Sequence, residues 1–152
     1  MADFVSSSPE ETIALGKRIA SRLQPGSVIA LRGGLGAGKT CLTRGIAQGL
    51  GIEETVTSPT YTIISEYEGT LPPAGTNVPG GKFPLYHIDA YRLAGEDDFI
   101  NIGGEELING AGISVIEWSE RIPLSIPKDA FFIDIEITGD SKRMIHLSEG
   151  LL

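Results

Sequence analysis

Hydrophobic residues near the start of the chain recur at the spacing of a helix. A helix start precedes this repeat. Ser8 and Glu11 form a capping box, and Pro9 suits the first helical position. Apolar side chains then recur every four residues, at Leu15, Ile19 and Leu23. The pattern predicts an amphipathic helix that ends at Pro25-Gly26.

Short apolar or alternating runs predict strands along the rest of the chain. We expect these strands at residues 27–32, 61–67, 83–90, 113–118, 131–138 and 142–147. Further helices are predicted at residues 39–50 and, as one or two short helices broken at Gly103-Gly104, at residues 96–109. Residues 68–82 are rich in glycine and proline, and they predict an exposed loop.

The last two predicted strands form a hairpin with one solvated face. Ile133, Ile135 and Ile137 alternate with polar residues, and Gly139-Asp140 supplies the turn. A strand, a glycine-rich loop and a helix follow one another near the N-terminus, which favours a central, largely parallel sheet. The sequence therefore predicts an α/β protein with a mostly parallel central sheet and a C-terminal antiparallel hairpin.

Length, charge and cysteine content restrict the function and the compartment. With 152 residues, 41% of them hydrophobic, the chain is predicted to form one domain spanning residues 1–152. The formal net charge of −8 argues against direct binding of nucleic acid, which requires a basic surface. The single cysteine, Cys41, allows no intrachain disulfide and fits a reducing compartment. Since no signal peptide or membrane span is predicted either, we expect a soluble, cytoplasmic protein.

Glycine is unusually frequent, at 20 of 152 residues, and four glycines are concentrated in one segment. Residues 33–40 match the phosphate-binding pattern G-x-x-x-x-G-K-[ST], between a predicted strand and a predicted helix. The glycines let the backbone amides surround phosphates, Lys39 reaches the β- and γ-phosphates, and Thr40 offers its hydroxyl to Mg²⁺. The residues assigned to nucleotide binding here are Gly33, Gly34, Leu35, Gly36, Ala37, Gly38, Lys39, Thr40 and Cys41.

Two acidic residues at the ends of predicted strands are candidates for the metal partner of this P-loop. Asp89 and Glu117 each close an apolar strand. A carboxylate in that place can hold Mg²⁺ or orient an attacking water, and the sequence leaves open which of the two does which. Ser58-Pro59-Thr60 lies where a threonine hydroxyl often senses the γ-phosphate, although a plain turn into the next strand explains it as well.

Other aromatic and titratable residues admit both a binding and a structural interpretation. Trp118 packs either on a nucleotide or partner or at the edge of the core. His87 and His146 are more typical of structural histidines than of catalytic ones. The eight acidic residues of segment 86–120, accompanied by Arg92 alone among basic residues, form either a solvated face or a surface for a basic partner.

The order of these motifs resembles the TsaE (YjeE) family, small bacterial ATPases of tRNA threonylcarbamoyladenosine synthesis. The segments that carry the resemblance are the P-loop, Thr57-Ser58-Pro59-Thr60-Tyr61, Tyr86-His87-Ile88-Asp89-Ala90-Tyr91-Arg92-Leu93 and Glu117-Trp118. The likeness covers most of the chain, from Glu11-Thr12 to the C-terminal hairpin. Gly34 stands where the family usually has aspartate, and Cys41 where it often has threonine, but neither is a defined position of the phosphate pattern.

This resemblance implies a P-loop NTPase-like three-layer sandwich that binds ATP or ADP with Mg²⁺ and hydrolyses ATP. It implies metal ligation by Thr40, Glu117 and Asp89, and a catalytic set of Lys39, Asp89, Glu117 and Thr60. It also implies that Thr12, Trp118 and Arg143 lie beside the nucleotide. The implied partners are TsaB and TsaD, which modify adenosine 37 of tRNA, so that the chain reaches tRNA through the complex.

Other P-loop functions fit the sequence less well. A small-molecule kinase shares the glycine spacing, but kinases bring several arginines to the transferring phosphate, and only three arginines follow Arg44. A non-hydrolysing nucleotide-binding regulator or scaffold is disfavoured by the intact Lys39 and Thr40. A GTP switch is disfavoured because no Asn-Lys-x-Asp or Thr-Lys-x-Asp segment is present for guanine recognition.

Overall fold

The computed structural model describes residues 2–57, 63–71 and 81–151. Its strands are β1 (Ala2–Ser6), β2 (Val28–Arg32), β3 (Ile64–Leu71), β4 (Gly81–Asp89), β5 (Ile113–Glu117), β6 (Phe131–Ile137) and β7 (Arg143–Leu147). Its helices are α1 (Pro9–Ala20), α2 (Lys39–Gly49), α3 (Glu96–Asn101) and α4 (Gly104–Ile108), with 3-10 turns at Ser119–Arg121 and Pro123–Ser125. No helix in these ranges is long and apolar enough to cross a membrane.

The described strands form one sheet in the order β1-β7-β6-β2-β5-β4-β3. Strand β2 pairs in parallel with both β5 and β6, and β5 pairs in parallel with β4. Strands β6 and β7 form the antiparallel hairpin, and β1 and β3 extend the two edges in antiparallel pairing. The predicted parallel centre and C-terminal hairpin are therefore confirmed, and the P-loop follows the middle strand of the sheet.

Helices cover both faces of the sheet, which confirms the three-layer arrangement. On one face, Leu15 and Ile19 of α1 and Leu42 and Ile46 of α2 are buried in a cluster with apolar side chains of the central strands. On the other face, Phe99 of α3, Ile108 of α4 and Ile122 between the two 3-10 turns belong to a second cluster. Because β2 is buried along its first four residues, its hydrophobic run carries no alternation.

Helices α1 and α2 approach closely through glycines. A Cβ at Gly16 would lie 2.5 Å from the carbonyl oxygen of Leu42, and a Cβ at Gly45 would fall within 3.0 Å of the Ile13 carbonyl. Glycine is therefore required where the two helices touch, because any side chain would push the backbones apart. The contact fixes the helix that follows the P-loop against the helix at the start of the chain.

The end of helix α1 and the end of strand β6 differ from the sequence predictions. Helix α1 ends at Ala20 rather than at Pro25-Gly26, because the amides of Arg22 and Leu23 bond to carbonyls three residues back and tighten the chain into turns. Leu23 is nevertheless buried, as its spacing predicted. Ile137 was expected to lie with Ile133 and Ile135 in the core, but it is 54% exposed at the end of β6.

The predicted loop at 68–82 is shorter than expected at both ends. The pairing of β3 with β4 continues from Glu68 opposite Pro84 to Leu71 opposite Gly81, so the hairpin extends into the glycine-rich segment. Residues 72–80 lie outside the described part of the chain. Strand β1 was not predicted, and it forms because its backbone pairs with β7 at the sheet edge.

Candidate nucleotide-binding site

The P-loop connects the end of β2 to the first turn of α2. Gly36 and Gly38 have φ angles of 74° and 105°, values that side chains disfavour. A Cβ at Gly33 would lie 2.8 Å from the carbonyl oxygen of Ile135, so this position has no space for a side chain. Gly38 is also the N-cap of α2 and offers no side chain there, which leaves the amides at the helix start available for an anion.

Lys39 is held against the loop that it follows. Its Nζ donates to the carbonyl oxygens of Gly33 at 2.5 Å and Gly34 at 3.0 Å. The same nitrogen lies 4.0 Å from the ring centroid of Trp118. Burial lowers the pKa of Lys39 below its usual value, while nearby carboxylates, first that of Glu117, oppose the shift. The ammonium group is thus fixed at the place where phosphates approach.

Glu117, at the end of β5, is buried beside the first turn of α2. Its Oε2 accepts a hydrogen bond from the Thr40 hydroxyl at 3.4 Å and lies at short hydrogen-bonding distance from Nε2 of His87. Thr40 and Glu117 thus stand together although 77 residues separate them in sequence. The hydroxyl and the carboxylate are both hard oxygen donors, and Mg²⁺ takes few such protein ligands because phosphates and water complete its shell. The donor set fits Mg²⁺ held with a nucleotide.

Asp89 lies beside Glu117 because the two residues are register partners at the ends of parallel strands β4 and β5. Its Oδ1 accepts the backbone N–H of Tyr91 at 3.0 Å, which turns the chain at the end of β4. A cleft of about 440 Å³ opens at this edge of the sheet. It is lined by Leu35, Gly36, Ala37, Gly38, Lys39, Thr40, Cys41, Ile63, Asp89, Tyr91, Arg92, Glu117 and Trp118.

Trp118 forms one wall of this cleft. Its φ of 58° is left-handed, a conformation that costs energy for a bulky residue and turns the chain directly after Glu117. The indole packs against the ring of Tyr91 with centroids 4.9 Å apart. The guanidinium of Arg121 lies over the same Tyr91 ring, 5.2 Å from its centroid. The side chain therefore belongs to the site as well as to the edge of the core.

A second cleft, of about 230 Å³, adjoins the first across the P-loop. It lies between the start of α1, the loop and the turn of the C-terminal hairpin, and it is lined by Ser8, Pro9, Thr12, Gly36, Gly38, Cys41, Asp140, Ser141 and Arg143. Gly36, Gly38 and Cys41 line both clefts. A ligand with phosphates on the loop can therefore extend into this second cleft.

The polar side chains of the second cleft hold its walls together. Arg143 Nε donates to the Ala37 carbonyl at 3.0 Å, and Nη2 donates to the Gly36 carbonyl at 3.2 Å, so the hairpin fixes the loop. Thr12 is buried and its hydroxyl lies 2.7 Å from the hydroxyl of Ser6. Burial raises the pKa of the Cys41 thiol, which donates to the Pro9 carbonyl oxygen at 3.4 Å.

The structure brings together nearly all of the residues that the sequence assigned to the site. Those lining one cleft or the other are Thr12, Leu35, Gly36, Ala37, Gly38, Lys39, Thr40, Cys41, Asp89, Glu117, Trp118 and Arg143. Gly33 and Gly34 contribute the carbonyls that bind Lys39. Thr60 and the Ser58-Pro59 segment before it lie outside the described residues.

Several residues around the site were not assigned a part in it from the sequence, among them His87 and, in the lining of the first cleft, Ile63, Tyr91 and Arg92. His87, which the sequence favoured as structural, contacts Glu117 directly. Its position two residues before Asp89 on one strand was a usable signal, because such residues point to the same face of a sheet. Tyr91 packs on Trp118, and this contact joins two segments far apart in sequence, so no local pattern could indicate it.

Comparisons with known proteins match most of the chain. A family model described as threonylcarbamoyl adenosine biosynthesis protein TsaE matches residues 6–145. Two similar proteins are described as tRNA threonylcarbamoyladenosine biosynthesis protein TsaE. The one from Treponema pallidum is 41% identical over 141 residues, which are 93% of this chain and 96% of that protein. The one from Bacillus subtilis is 42% identical over 138 residues, which are 91% of this chain and 79% of that protein. The crystal structure of Bacillus subtilis YdiB matches with a TM-score of 0.70 at 36% identity, covering 96% of this chain and 83% of that one.

Proposed function

The chain belongs to the TsaE family, and on that premise we propose that it is an ATP-hydrolysing component of the machinery that makes threonylcarbamoyladenosine in tRNA. One observation carries the enzymatic part of this proposal: the P-loop residue Thr40 lies 3.4 Å from the buried carboxylate of Glu117. A P-loop with a strand-end acid beside its threonine has the parts that Mg-dependent phosphoryl transfer needs.

Each residue of the first cleft has a defined task in this proposal. The amides of residues 34–40 and the ammonium group of Lys39 bind the phosphates and hold them in one orientation. Thr40 and Glu117 hold Mg²⁺, which neutralises charge on the phosphate oxygens. Asp89, beside Glu117, orients the water that attacks the γ-phosphate, and the backbone turn at Tyr91 keeps one of its oxygens fixed.

The second cleft is the proposed position of the nucleoside. It shares residues of the P-loop with the first cleft, so a nucleotide with its phosphates on the loop can place its base between Thr12 and Arg143. The absence of a guanine-recognition segment in the sequence supports ATP over GTP. Trp118 stands beside the phosphates rather than beside the base, because Lys39 lies over its ring.

The acidic composition supports a complex in which partner proteins, and not this chain, bind the tRNA. A net charge of −8 makes direct binding of the tRNA backbone unfavourable, so the chain acts on tRNA only within a complex. We propose TsaB and TsaD as these partners, in the cytoplasm, with ATP hydrolysis resetting the complex between rounds of modification. Hydrolysis is then slow in the isolated chain and faster in the complex.

A reconstitution tests this function. Phosphate release from ATP is measured for the chain alone, with TsaB and TsaD, and with both proteins and tRNA. We expect slow release by the chain alone and faster release in the complete mixture, with Lys39→Met lowering both. The proposal is overturned if ATP is not hydrolysed in any mixture. It is also overturned if ATP is consumed only when a small hydroxyl-bearing metabolite is added and becomes phosphorylated, which is the reaction of a kinase.

A further inference from the structure

His87 is a fully buried histidine in the middle of strand β4, and it contacts the acidic residue proposed to hold the metal. Its relative exposure is 0%, and its Nε2 shares a short hydrogen bond with Oε2 of Glu117. Burying an imidazole without hydrogen-bond partners costs free energy, so a buried histidine is expected to bind a specific partner.

The sheet register explains why the two side chains meet. Asp89 is the register partner of Glu117, and His87 precedes Asp89 by two residues, so all three side chains point to the face covered by α2. His87 is thus the diagonal neighbour of Glu117 on the adjacent parallel strand. The position is set by the backbone of two strands rather than by a loop, which makes it a rigid support.

The second ring nitrogen indicates how His87 binds. Nδ1 is buried and has no hydrogen-bond partner among the residues that the structure describes. A carboxylate oxygen only accepts hydrogen bonds, so its short contact with the ring needs the proton on Nε2, whereas a proton on Nδ1 would be a buried donor without an acceptor. The arrangement therefore places a proton on Nε2, from which it is donated to the carboxylate.

Glu117 is consequently held by two donors from different elements. Thr40 at the start of α2 and His87 in β4 both donate to Oε2, and the residue also lines the first cleft. If Thr40 gave its hydroxyl to a metal, His87 would still hold the carboxylate, as the second of its two partners among the described residues. A ligand carboxylate that is itself hydrogen-bonded presents its oxygens in one orientation.

We propose that His87 is a positioning residue, whose Nε2–H holds Glu117 in the orientation that binds Mg²⁺ together with the nucleotide. This inference rests on the proposed function, because it assigns to His87 a role in that same site. It predicts that loss of the hydrogen bond weakens the contribution of Mg²⁺ and slows hydrolysis, while nucleotide binding without metal is retained.

Two substitutions of nearly equal size separate the hydrogen bond from packing. His87→Gln places an amide N–H at the reach of Nε2, whereas His87→Met fills the same length without a donor. The affinity for ADP is measured by the fluorescence of Trp118, the single tryptophan, with Mg²⁺ and with a chelator instead. We expect His87→Met to reduce two quantities by about 10- to 100-fold: the gain in ADP affinity due to Mg²⁺ and the kcat of hydrolysis. We expect His87→Gln to keep most of the Mg²⁺ effect and most of the kcat.

The same experiment contains the results that would overturn the inference. If His87→Met keeps the full effect of Mg²⁺ and the full kcat, His87 serves packing alone. If His87→Gln and His87→Met lose nucleotide binding equally with and without Mg²⁺, the loss comes from the fold and the positioning role is again refuted.

A measurement on the wild-type chain without metal or nucleotide decides the question if the variants do not fold. Nitrogen-15 spectra of the imidazole distinguish a proton on Nε2 from one on Nδ1, and His146→Gln identifies which of the two histidine signals belongs to His87. We expect the proton of His87 on Nε2, protected from exchange with water. A proton on Nδ1 would contradict the proposed bond. Because this readout uses no nucleotide, it fails independently of the proposed ATPase activity, which the reconstitution tests.

Discussion

Asp89 and Glu117 are register partners at the carboxyl ends of two neighbouring parallel strands, so two acidic side chains meet beside the P-loop. The relationship follows from topology, because parallel strands end at the same edge of a sheet and β5 lies between β2 and β4. Glu117 accepts a hydrogen bond from the Thr40 hydroxyl. This contact supports the proposal that Glu117 holds the metal and Asp89 orients the water, two roles that the sequence alone left interchangeable.

Lys39→Met is expected to weaken binding of ADP and ATP but not of adenosine. The substitution removes one charge-assisted contact to phosphate, worth about 1.5–3 kcal/mol, which corresponds to roughly a 10- to 150-fold rise in Kd. Calorimetric titration with ADP and with adenosine measures the difference. Lys82→Met is the matched control, because Lys82 is an exposed lysine paired with Glu68 in the hairpin of β3 and β4. An equal loss for both ligands would mean that Lys39 supports the fold and not the phosphates.

Arg143→Ala is expected to loosen the P-loop without unfolding the chain. The guanidinium holds the carbonyls of Ala37 and Gly36, so its removal frees the loop and weakens ATP binding by about tenfold, or about 1.4 kcal/mol. Lys142→Ala removes the same charge from the same hairpin and should leave the affinity unchanged. Equal effects of the two substitutions on the Kd for ATP would assign the role to net charge instead of to the contacts with the loop.

Gly45→Ala is expected to destabilise the fold by overpacking the contact between α1 and α2. The added methyl group would collide with the carbonyl of Ile13, which is backbone and cannot rotate away. Overpacking of this kind costs about 1–3 kcal/mol, and each kcal/mol lowers Tm by about 2–4 °C in a chain of this size. Gly81→Ala adds the same methyl group where, its chain neighbours aside, no atom of the described residues lies within 4 Å, and it should leave Tm nearly unchanged. A wild-type Tm for Gly45→Ala would refute the close helix contact.

The stability of the chain is expected to depend on pH through His146. Hydrogen bonds to Glu136 at 2.9 Å and Asp3 at 2.7 Å raise the pKa of His146 above its ordinary value of 6.5. The protonated ring donates to both carboxylates, so its stabilising contribution is complete below about pH 6.5 and is lost as the pH rises through the raised pKa. Urea unfolding of the wild type and of His146→Gln measures this contribution. The difference between their midpoints should shrink with rising pH, and a constant difference would contradict the prediction.

The sequence predicted the centre of the fold well because local patterns determine it. Each of these patterns occupies only a few consecutive residues: the capping box, the phosphate pattern and the strand-end acids. Their spacing alone therefore assigns them to a helix, a loop and strands. The glycine excess was only partly explained by the P-loop. Gly16 and Gly45 serve a helix contact between segments distant in sequence, which composition cannot indicate.

The features that the sequence did not predict depend on distant partners. Strand β1 is a strand because β7 lies beside it, and the hairpin of β3 and β4 extends into glycine-rich residues because the two strands continue to pair. Arg143 was placed beside the nucleotide by family resemblance alone, and the structure adds the contacts through which it holds the loop. His87 was expected to be structural. Its spacing from Asp89 indicates a shared face of β4, but its contact with Glu117 depends on the register of β4 against β5, which the sequence does not show.

The measurement that tests the central proposal most directly is the yield of threonylcarbamoyladenosine over many turnovers, with Glu117→Gln compared with the wild type. Both forms are combined with TsaB, TsaD, tRNA and ATP, and phosphate release is followed in the same samples. We predict that Glu117→Gln binds ATP but releases phosphate about 100-fold or more slowly, and that modification stops after the first round. Wild-type rates of phosphate release and continued modification with Glu117→Gln would contradict the proposal.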